Sequence, residues 1–403
     1  MITRRRLLLS GALVSTLGIY SHQRGLRYPP LSFEHRARAS VLSSDQLELD
    51  LRDCIAVSSH TIRAIAPEPC IFIKRLERSI SVKVLNVASN AVLKLEGRAS
   101  ADIDEEVDGT ARIVHIRGRN QGAELKGTSL KWFLPVTDGF EFAVMGDTGG
   151  GSELAWTLKR AKELGAQFLL HLGDFNYSEG EYDMAIEHFN KAKLPCYVTI
   201  GNHEFHNDGL IYDKFISQIG PMNHAFELAG TRFINIDTAA DFWPAGSGHR
   251  SALLTSLTKA GPFNGEQIIF THRLLKDPRP HDDHEIHGIG EVDWLVRQSH
   301  KLGIGTVLSG HVHHSAELDY QGLRQITIGE GLGHENLVLQ KPVAKILMAS
   351  VEPHKKLVHR WVDLKMPWSE HQNPTHLIKL KRDGRHRQIE WFAQLQKNYL
   401  KIL

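Results

Sequence analysis

The stretch Val144-Met145-Gly146-Asp147-Thr148-Gly149-Gly150-Gly151-Ser152 closes an apolar run, and its reading decides the fold. Three chemistries use such a string. A glycine-rich loop can cradle phosphate on its backbone N–H groups, but it then carries a Lys after the glycines, and Ser152-Glu153-Leu154-Ala155 supplies none. An aspartic protease needs a second Asp-Thr-Gly; the nearest counterpart, Ile236-Asp237-Thr238-Ala239, lacks the glycine. The third use is a strand-end carboxylate directed at a metal ion.

The surroundings of the stretch favour the third. Phe142-Ala143-Val144-Met145 has the continuous apolar character of a buried strand, and Ser152 to Leu164 carries helical spacing with Lys and Arg late. Gln167 to Leu172 follows as a strand, Glu181 to Lys193 as a helix and Tyr197 to Ile200 as a strand. This βαβαβ order predicts an α/β unit with a largely parallel sheet and helices outside. Further strands are expected at Thr231 to Asp237, Gln267 to Thr271, Thr306 to Ser309, Gln325 to Ile328 and Lys345 to Val351.

In open α/β sheets ligands gather at the carboxyl ends of strands. Those ends read Gly146-Asp147-Thr148-Gly149, Gly173-Asp174-Phe175-Asn176-Tyr177, Gly201-Asn202-His203-Glu204, Phe270-Thr271-His272 and Gly310-His311-Val312-His313. A strand-end Asp alone caps helices, and Gly-Asn-His-Glu alone could be an ordinary turn. His311 and His313 are more telling, since period-two geometry points both rings to one side. The five strings together, each after an apolar run, offer oxygen and imidazole donors enough for two metal ions. One shared carboxylate would bridge them, at about 3.5–4 Å as in other two-metal sites. Asp147 is accordingly read as a metal ligand.

The rest of the chain sets the frame. Its 403 residues exceed one ordinary domain. With 41% hydrophobic and 23% charged residues it is of soluble, globular composition. A net charge of +2 gives no electrostatic reason to expect nucleic-acid binding. The 24 histidines suit metal sites. Residues 1–36 are expected to be an export signal or an N-terminal anchor. Met1 to Arg6 forms a basic region, and Leu7 to Tyr20 is an apolar run too short to span a bilayer comfortably. Thr3-Arg4-Arg5-Arg6-Leu7-Leu8 resembles the twin-arginine export signal. Ala37-Arg38-Ala39 has a cleavable form but lies far from the apolar run, so an uncleaved anchor, or a buried helix, stays open. The expected location is periplasmic or extracellular, with membrane association through the N-terminal segment as one option.

Residues 40–137 alternate in short runs punctuated by turns, which predicts a small antiparallel β-sandwich of fibronectin or immunoglobulin type. The unit with the five strings is placed at 138–366. A basic extension, 367–403, ends in a helix with Ile389, Phe392, Leu395, Tyr399 and Leu403 on one face, to pack back or to lie on a membrane. Cys54 and Cys70 would close a short disulfide loop worth roughly 3 kcal/mol, or stay as buried thiols. Cys196 lies in an apolar run and reads as core.

At the five strings, over roughly Phe140 to Leu364, the chain resembles the calcineurin-like metallophosphoesterases, and within them the purple acid phosphatases. That superfamily reads Asp-x-His, Gly-Asp-x-x, Gly-Asn-His-Asp/Glu, His, Gly-His-x-His. The purple acid branch replaces the first His and places a Tyr three residues after the second Asp. Here Gly149 follows Asp147-Thr148, and Tyr177 follows Asp174. The resemblance implies a metallophosphoesterase α/β/β/α sandwich preceded by the small antiparallel β-sandwich. It implies that Asp147, Asp174, Tyr177 and His313 hold one metal, iron(III), and that Asp174 bridges to a second, divalent ion (zinc, manganese or iron) held by Asn202, His272 and His311. If Tyr177 is instead a packed aromatic, the first metal need not be iron(III). The string Ile269-Phe270-Thr271-His272 departs mildly from the branch, which usually begins it with Val.

The activity implied is acid phosphatase-like hydrolysis of a small phosphate monoester by a water acidified at the metals, with His203 supplying the leaving-group proton. Asn202, His203 and a histidine-rich loop with His281, His284 and His287 are candidate substrate contacts. A phosphodiesterase acting on cyclic nucleotides or lipid headgroups would use the same ions. A non-catalytic exported binding protein is the third reading.

Overall fold

The structure, a computed structural model, describes residues 41–43, 47–76, 79–97, 101–118, 128–136, 139–205, 212–239, 245–280, 282, 284–286, 288, 290–331, 343–352 and 355–365. The expected export segment, the C-terminal helix face, His281 and His287 lie outside the described residues.

The first part is built from β1 (Val41–Ser43), β2 (Leu47–Arg52), β3 (Cys54–Ser58), β4 (Thr61–Ala64), β5 (Cys70–Leu76), β6 (Ile80–Leu85), β7 (Val92–Glu96), β8 (Ala101–Asp108), β9 (Ala111–Gly118) and β10 (Thr128–Phe133). They form two sheets, ordered β1-β2-β5-β10-β7 and β3-β4-β6-β9-β8. Alternation decides the faces: Leu47, Leu49 and Leu51 of β2 turn inward with Ile71, Ile73, Leu130 and Trp132. The Trp132 indole donates to Glu105 Oε1 at 2.7 Å. One pair departs from the antiparallel expectation, since β4 and β6 run parallel. The intervening β5 belongs to the other sheet, so the chain returns to β4 by a crossover instead of a hairpin. Cys54 and Cys70 are free and buried. The Cys54 thiol is spent on the carbonyls of Arg52 and Cys70, so of the two sequence readings the structure shows the thiols. Cys196 is core, as expected.

The second part begins with β11 (Phe140–Met145) and continues with α1 (Ser152–Glu163), β12 (Leu169–His171), α2 (Glu181–Lys191), β13 (Cys196–Val198), α3 (Tyr212–Gln218), β14 (His224–Leu228) and β15 (Thr231–Ile236). Then follow α4 (Gly248–Lys259), β16 (Glu266–Thr271), α5 (Glu291–Leu302), β17 (Thr306–Ser309), β18 (Ser315–Tyr320), β19 (Leu323–Ile328), β20 (Val343–Val351) and β21 (Val358–Lys365). The sequence reading passes over α4 and α5 and draws β12 and β13 too long at their carboxyl ends, where the backbone leaves the ladder to build the site.

Two mixed sheets form here where the βαβαβ rhythm alone predicts one largely parallel sheet. In one, β13-β12-β11-β20-β21, the first three strands are parallel, and β20 pairs antiparallel with both β11 and β21. In the other, β14-β15-β16-β17-β19-β18, four parallel strands lie between antiparallel edges. The sheets face each other, which makes the α/β/β/α sandwich. Burial on both faces explains why β11 is apolar from Phe142 to Met145. Phe142 and Val144 enter the inter-sheet core with Phe168, Leu170, Phe233 and Phe270, while Ala143 and Met145 meet Leu154, Leu158 and Phe189 of the helices. Phe142 stacks on Phe168 at 5.2 Å and meets Phe233 edge-on, also at 5.2 Å.

The β-sandwich packs on this unit behind the strand ends. Asn86 gives Nδ2 to the carbonyls of Ala64 and Cys196 and accepts the Cys196 N–H at 2.8 Å. Thr110 Oγ1 donates to Ala192 O at 2.7 Å, and Arg63 Nη1 to Asn190 Oδ1 at 2.6 Å. One apolar core runs from Leu47 to Phe140 and Phe233 without a break.

Candidate metal centre

Every strand end named from the sequence delivers its side chain to one place. Asp147 follows β11, Asp174 and Tyr177 follow β12, Asn202 and His203 follow β13, His272 follows β16, and His311 and His313 follow β17. The turns are tight enough that Asp147, Asp174, His311 and His313 all take positive φ, between 47° and 76°. Left-handed backbone at a non-glycine residue costs of order 1–3 kcal/mol and persists where the surroundings over-determine it. Four such residues cluster at this one site. Gly201 is needed for a different reason, since a Cβ there would collide with the Asp174 backbone and carboxylate.

Two groups of ligand atoms result, Asp147, Asp174 and His313, and Asp174, His272 and His311; within each the atoms lie within 4.8 Å of one another. Asp174 belongs to both. In the first group His313 Nε2 is 3.4 Å from Asp147 Oδ1, and the Tyr177 hydroxyl is 3.0 Å from the same nitrogen. In the second, His272 Nε2 faces Asp174 Oδ2 at 3.4 Å and Asn202 Oδ1 at 2.8 Å, while its Nδ1 donates to Leu172 O at 2.7 Å. A ring whose Nδ1 proton is committed to a carbonyl presents a lone pair at Nε2. That lone pair, an amide oxygen and a carboxylate oxygen then converge, and a cation satisfies all three.

The donor set passes a direct test of fit. Asp174 Oδ2 and His311 Nδ1 are buried and accept or donate no hydrogen bond within the protein. Orphaned buried polar atoms are costly, so each points to a group that belongs there. The site's electrostatics show how tightly its carboxylates and imidazoles are coupled. Burial pushes the His272 ring down, but Asp174 outweighs it and lifts the pKa to about 9. Burial works against the Asp174 carboxylate too, yet His272 and His203 hold its pKa well below the usual range. Asp147 is raised by burial. Carboxylate, phenol and imidazole suit hard and borderline cations.

His203 stands at the rim, its side chain 20% exposed, with Nε2 3.9 Å from Asp174 Oδ2 and its ring 4.4 Å from that of Tyr177. In the histidine-rich loop His284 is exposed, accompanies Arg279 and Asp277, and reaches within 6.0 Å of the His311 ring. With Asp277 and Asp282 it makes a third Asp/His group, whose buried member Asp277 is already engaged by Arg279.

Three supporting residues escape the sequence reading. Glu204 accepts the N–H groups of Gly201 at 2.5 Å, Asp174 at 3.0 Å and Phe175 at 2.8 Å, so it staples the two ligand loops together. Burial, then Asp174, pushes its pKa up to about 8. Glu181 holds the N–H groups of Tyr177 and Ser178. Arg273 Nη1 lies 3.0 Å from His311 Nε2. Glu204 could have been suspected as the last member of Gly-Asn-His-Glu; no spacing singles out the other two.

A two-sheet sandwich with paired Asp/His groups at its strand ends is an arrangement able to hold two metal ions. Residues 140–315 match the model of the calcineurin-like phosphoesterase family, which supports a metal-dependent phosphoesterase. That family implies a dinuclear metal site, and the Asp/His groups can hold one. Among solved structures, similarity is found to a purple acid phosphatase from yellow lupin seeds, at 12% identity over 73% of this chain and 69% of that one, with a TM-score of 0.44. The anchor in the inner membrane complex of Plasmodium matches at 13% over 57% and 89%, with 0.43. PhoD matches at 10% over 82% and 90%, with 0.42. None of the curated proteins matches the sequence.

Proposed function

We propose that this chain is an exported phosphatase of the purple acid type, hydrolysing small phosphate monoesters with iron(III) and a divalent ion. The observation that carries the reading is the pair of ligand groups sharing Asp174. Asp147, Tyr177, His313 and Asp174 would hold the iron, and Asp174, Asn202, His272 and His311 the divalent ion. When bound, such a pair supplies Lewis acidity and a nucleophile at neutral pH. The residues do the rest. The orphaned Asp174 oxygen and His311 nitrogen gain partners, and the Leu172 carbonyl keeps His272 in the ligating tautomer. His203, at the rim against Tyr177, hands the proton to the leaving alkoxide. Tyr177, placed by Glu181 beside His313, supports a phenolate ligand to iron. Export rests on the basic and apolar pattern of residues 3–20.

Metal analysis with an absorption spectrum, followed by a panel of monoesters and diesters, tests this. Iron bound by Tyr177 gives a visible band that Tyr177→Phe bleaches without loss of fold. A colourless, iron-free wild type with full activity removes the purple acid assignment and leaves the phosphoesterase domain.

A further inference from the structure

Arg63 lies in β4 between Ile62 and Ala64, which face the core of the β-sandwich. Period two therefore turns its guanidinium the other way, into the seam with α2. There Arg63 is 1% exposed, and its Nη1 donates to Asn190 Oδ1 at 2.6 Å. Its Nη2 is buried and meets no acceptor. The Tyr182 hydroxyl, on the same helix as Asn190 and fully buried, is also without a hydrogen-bond partner.

Burial lowers the Arg63 pKa, yet a guanidinium stays protonated in proteins, and a buried charge is costly unless it is paired. Among the described residues no carboxylate pairs with it. The titratable groups that act on Arg63 are Cys196, Tyr182 and Tyr197. Burial pushes that thiol and both phenols up, so all three are neutral near pH 7. Lys214, whose Nζ lies 4.6 Å from the centre of the Tyr182 ring, is balanced by Asp183 at 2.6 Å. Glu204 acts on Tyr182, but its oxygens are engaged by the Gly201, Asp174 and Phe175 N–H groups. Among the described residues the seam is thus left with an unbalanced positive charge and two idle donors. A water molecule satisfies donors but not the charge.

We infer that this seam binds a small monovalent inorganic anion, of the halide class, between Arg63 Nη2 and the Tyr182 hydroxyl. One cation balances one negative charge, and complete burial of both donors favours an ion of atomic size over an organic acid. Hydrogen bonds to an ion are the strong ones, and here they join the β-sandwich to the helix that begins at Glu181. The site is separate from the metal centre and does not depend on what that centre hydrolyses.

The test compares thermal midpoints of the full chain, as wild type, Arg63→Met and Tyr182→Phe, in sodium chloride, sodium bromide and sodium gluconate at one ionic strength. In wild type the midpoint is expected to rise by about 2–4 °C for each tenfold increase in chloride beyond half-saturation. Arg63→Met should not respond to chloride. In gluconate that variant should match or exceed wild type, because methionine removes an unbalanced buried charge. Tyr182→Phe should need roughly tenfold more chloride for the same rise. Wild-type midpoints equal in all three salts overturn the inference. So does a chloride response that survives in Arg63→Met, or one left unmoved in Tyr182→Phe. If Arg63→Met does not fold, diffraction at the bromine edge from wild-type crystals grown in sodium bromide decides. An anomalous peak against Arg63 Nη2 supports the ion, and its absence overturns it.

Discussion

Asp174 carries more of the site than any other residue, because one carboxylate serves both ligand groups. Asp174→Ala should abolish hydrolysis and strip both metals, measured by elemental analysis. A variant that keeps two ions per chain places the bridge elsewhere. His203→Ala should keep its metals and lose rate by roughly 10²–10⁴-fold, the usual worth of a positioned acid; metal loss there would move His203 among the ligands. His171 shows a different dependence. It is fully buried, with Nε2 2.8 Å from the Thr148 hydroxyl and Nδ1 accepting the Gly173 N–H, and burial lowers its pKa from 6.5 to about 3. A base whose folded pKa is depressed contributes stability fully above its unfolded pKa and loses it as pH falls toward the folded one. Between pH 6.5 and 3 this ring should therefore cost up to about 1.4 kcal/mol per pH unit. Urea midpoints of wild type and His171→Gln across that range check it, and parallel curves reject it.

At the scale of the element, the site depends on strands that stop early. β12 ends at His171 and β13 at Val198, and the freed backbone of the two loops is gathered by the Glu204 carboxylate. Close approach of these loops is possible only because Gly201 lacks a Cβ. Gly201→Ala should push Asp174 out of place and cost most of the metal and activity. The fold should survive, since the inter-sheet core of Phe142, Phe168 and Phe233 is untouched. Metal content together with the thermal midpoint separates the two effects; full metal occupancy in the variant would show that the loops can yield.

Across the whole molecule, the β-sandwich braces the sheet that carries Asp147, Asp174 and Asn202. Asn86 makes three buried hydrogen bonds, two of them to the Cys196 peptide groups at the start of β13. Asn86→Ala leaves buried backbone groups without partners and should destabilise the protein by about 1–3 kcal/mol while leaving metal stoichiometry unchanged. Chemical denaturation measures the first and elemental analysis the second; a stability equal to wild type would show the brace is dispensable. The proposed export is tested at this scale as well. Replacing Arg4 and Arg5 by Lys should strand the protein in the cytoplasm of a host with a twin-arginine route, and unchanged secretion rejects that route.

The amino-acid order by itself was enough to nominate the candidate ligand set. Asp147, Asp174, Tyr177, Asn202, His272, His311 and His313 each follow an apolar run, and local periodicity is enough to put strand-end residues on one edge. It also indicated short strands around an alternating apolar face, which the described residues between 41 and 133 bear out. Other features depend on contacts between segments far apart in the chain. The pairing of β20 with β11 and of β4 with β6 splits and orders the sheets, and no local period encodes which strand lies beside which. Cys54 and Cys70 are both buried free thiols, and the Cys54 sulfur turns to the carbonyls of Arg52 and Cys70. Glu204, Glu181 and Arg273 act through hydrogen bonds whose partners are fixed only after the loops meet. Spacing shows which side chains can reach a strand end; only the packed structure decides what stands behind each one and holds it there.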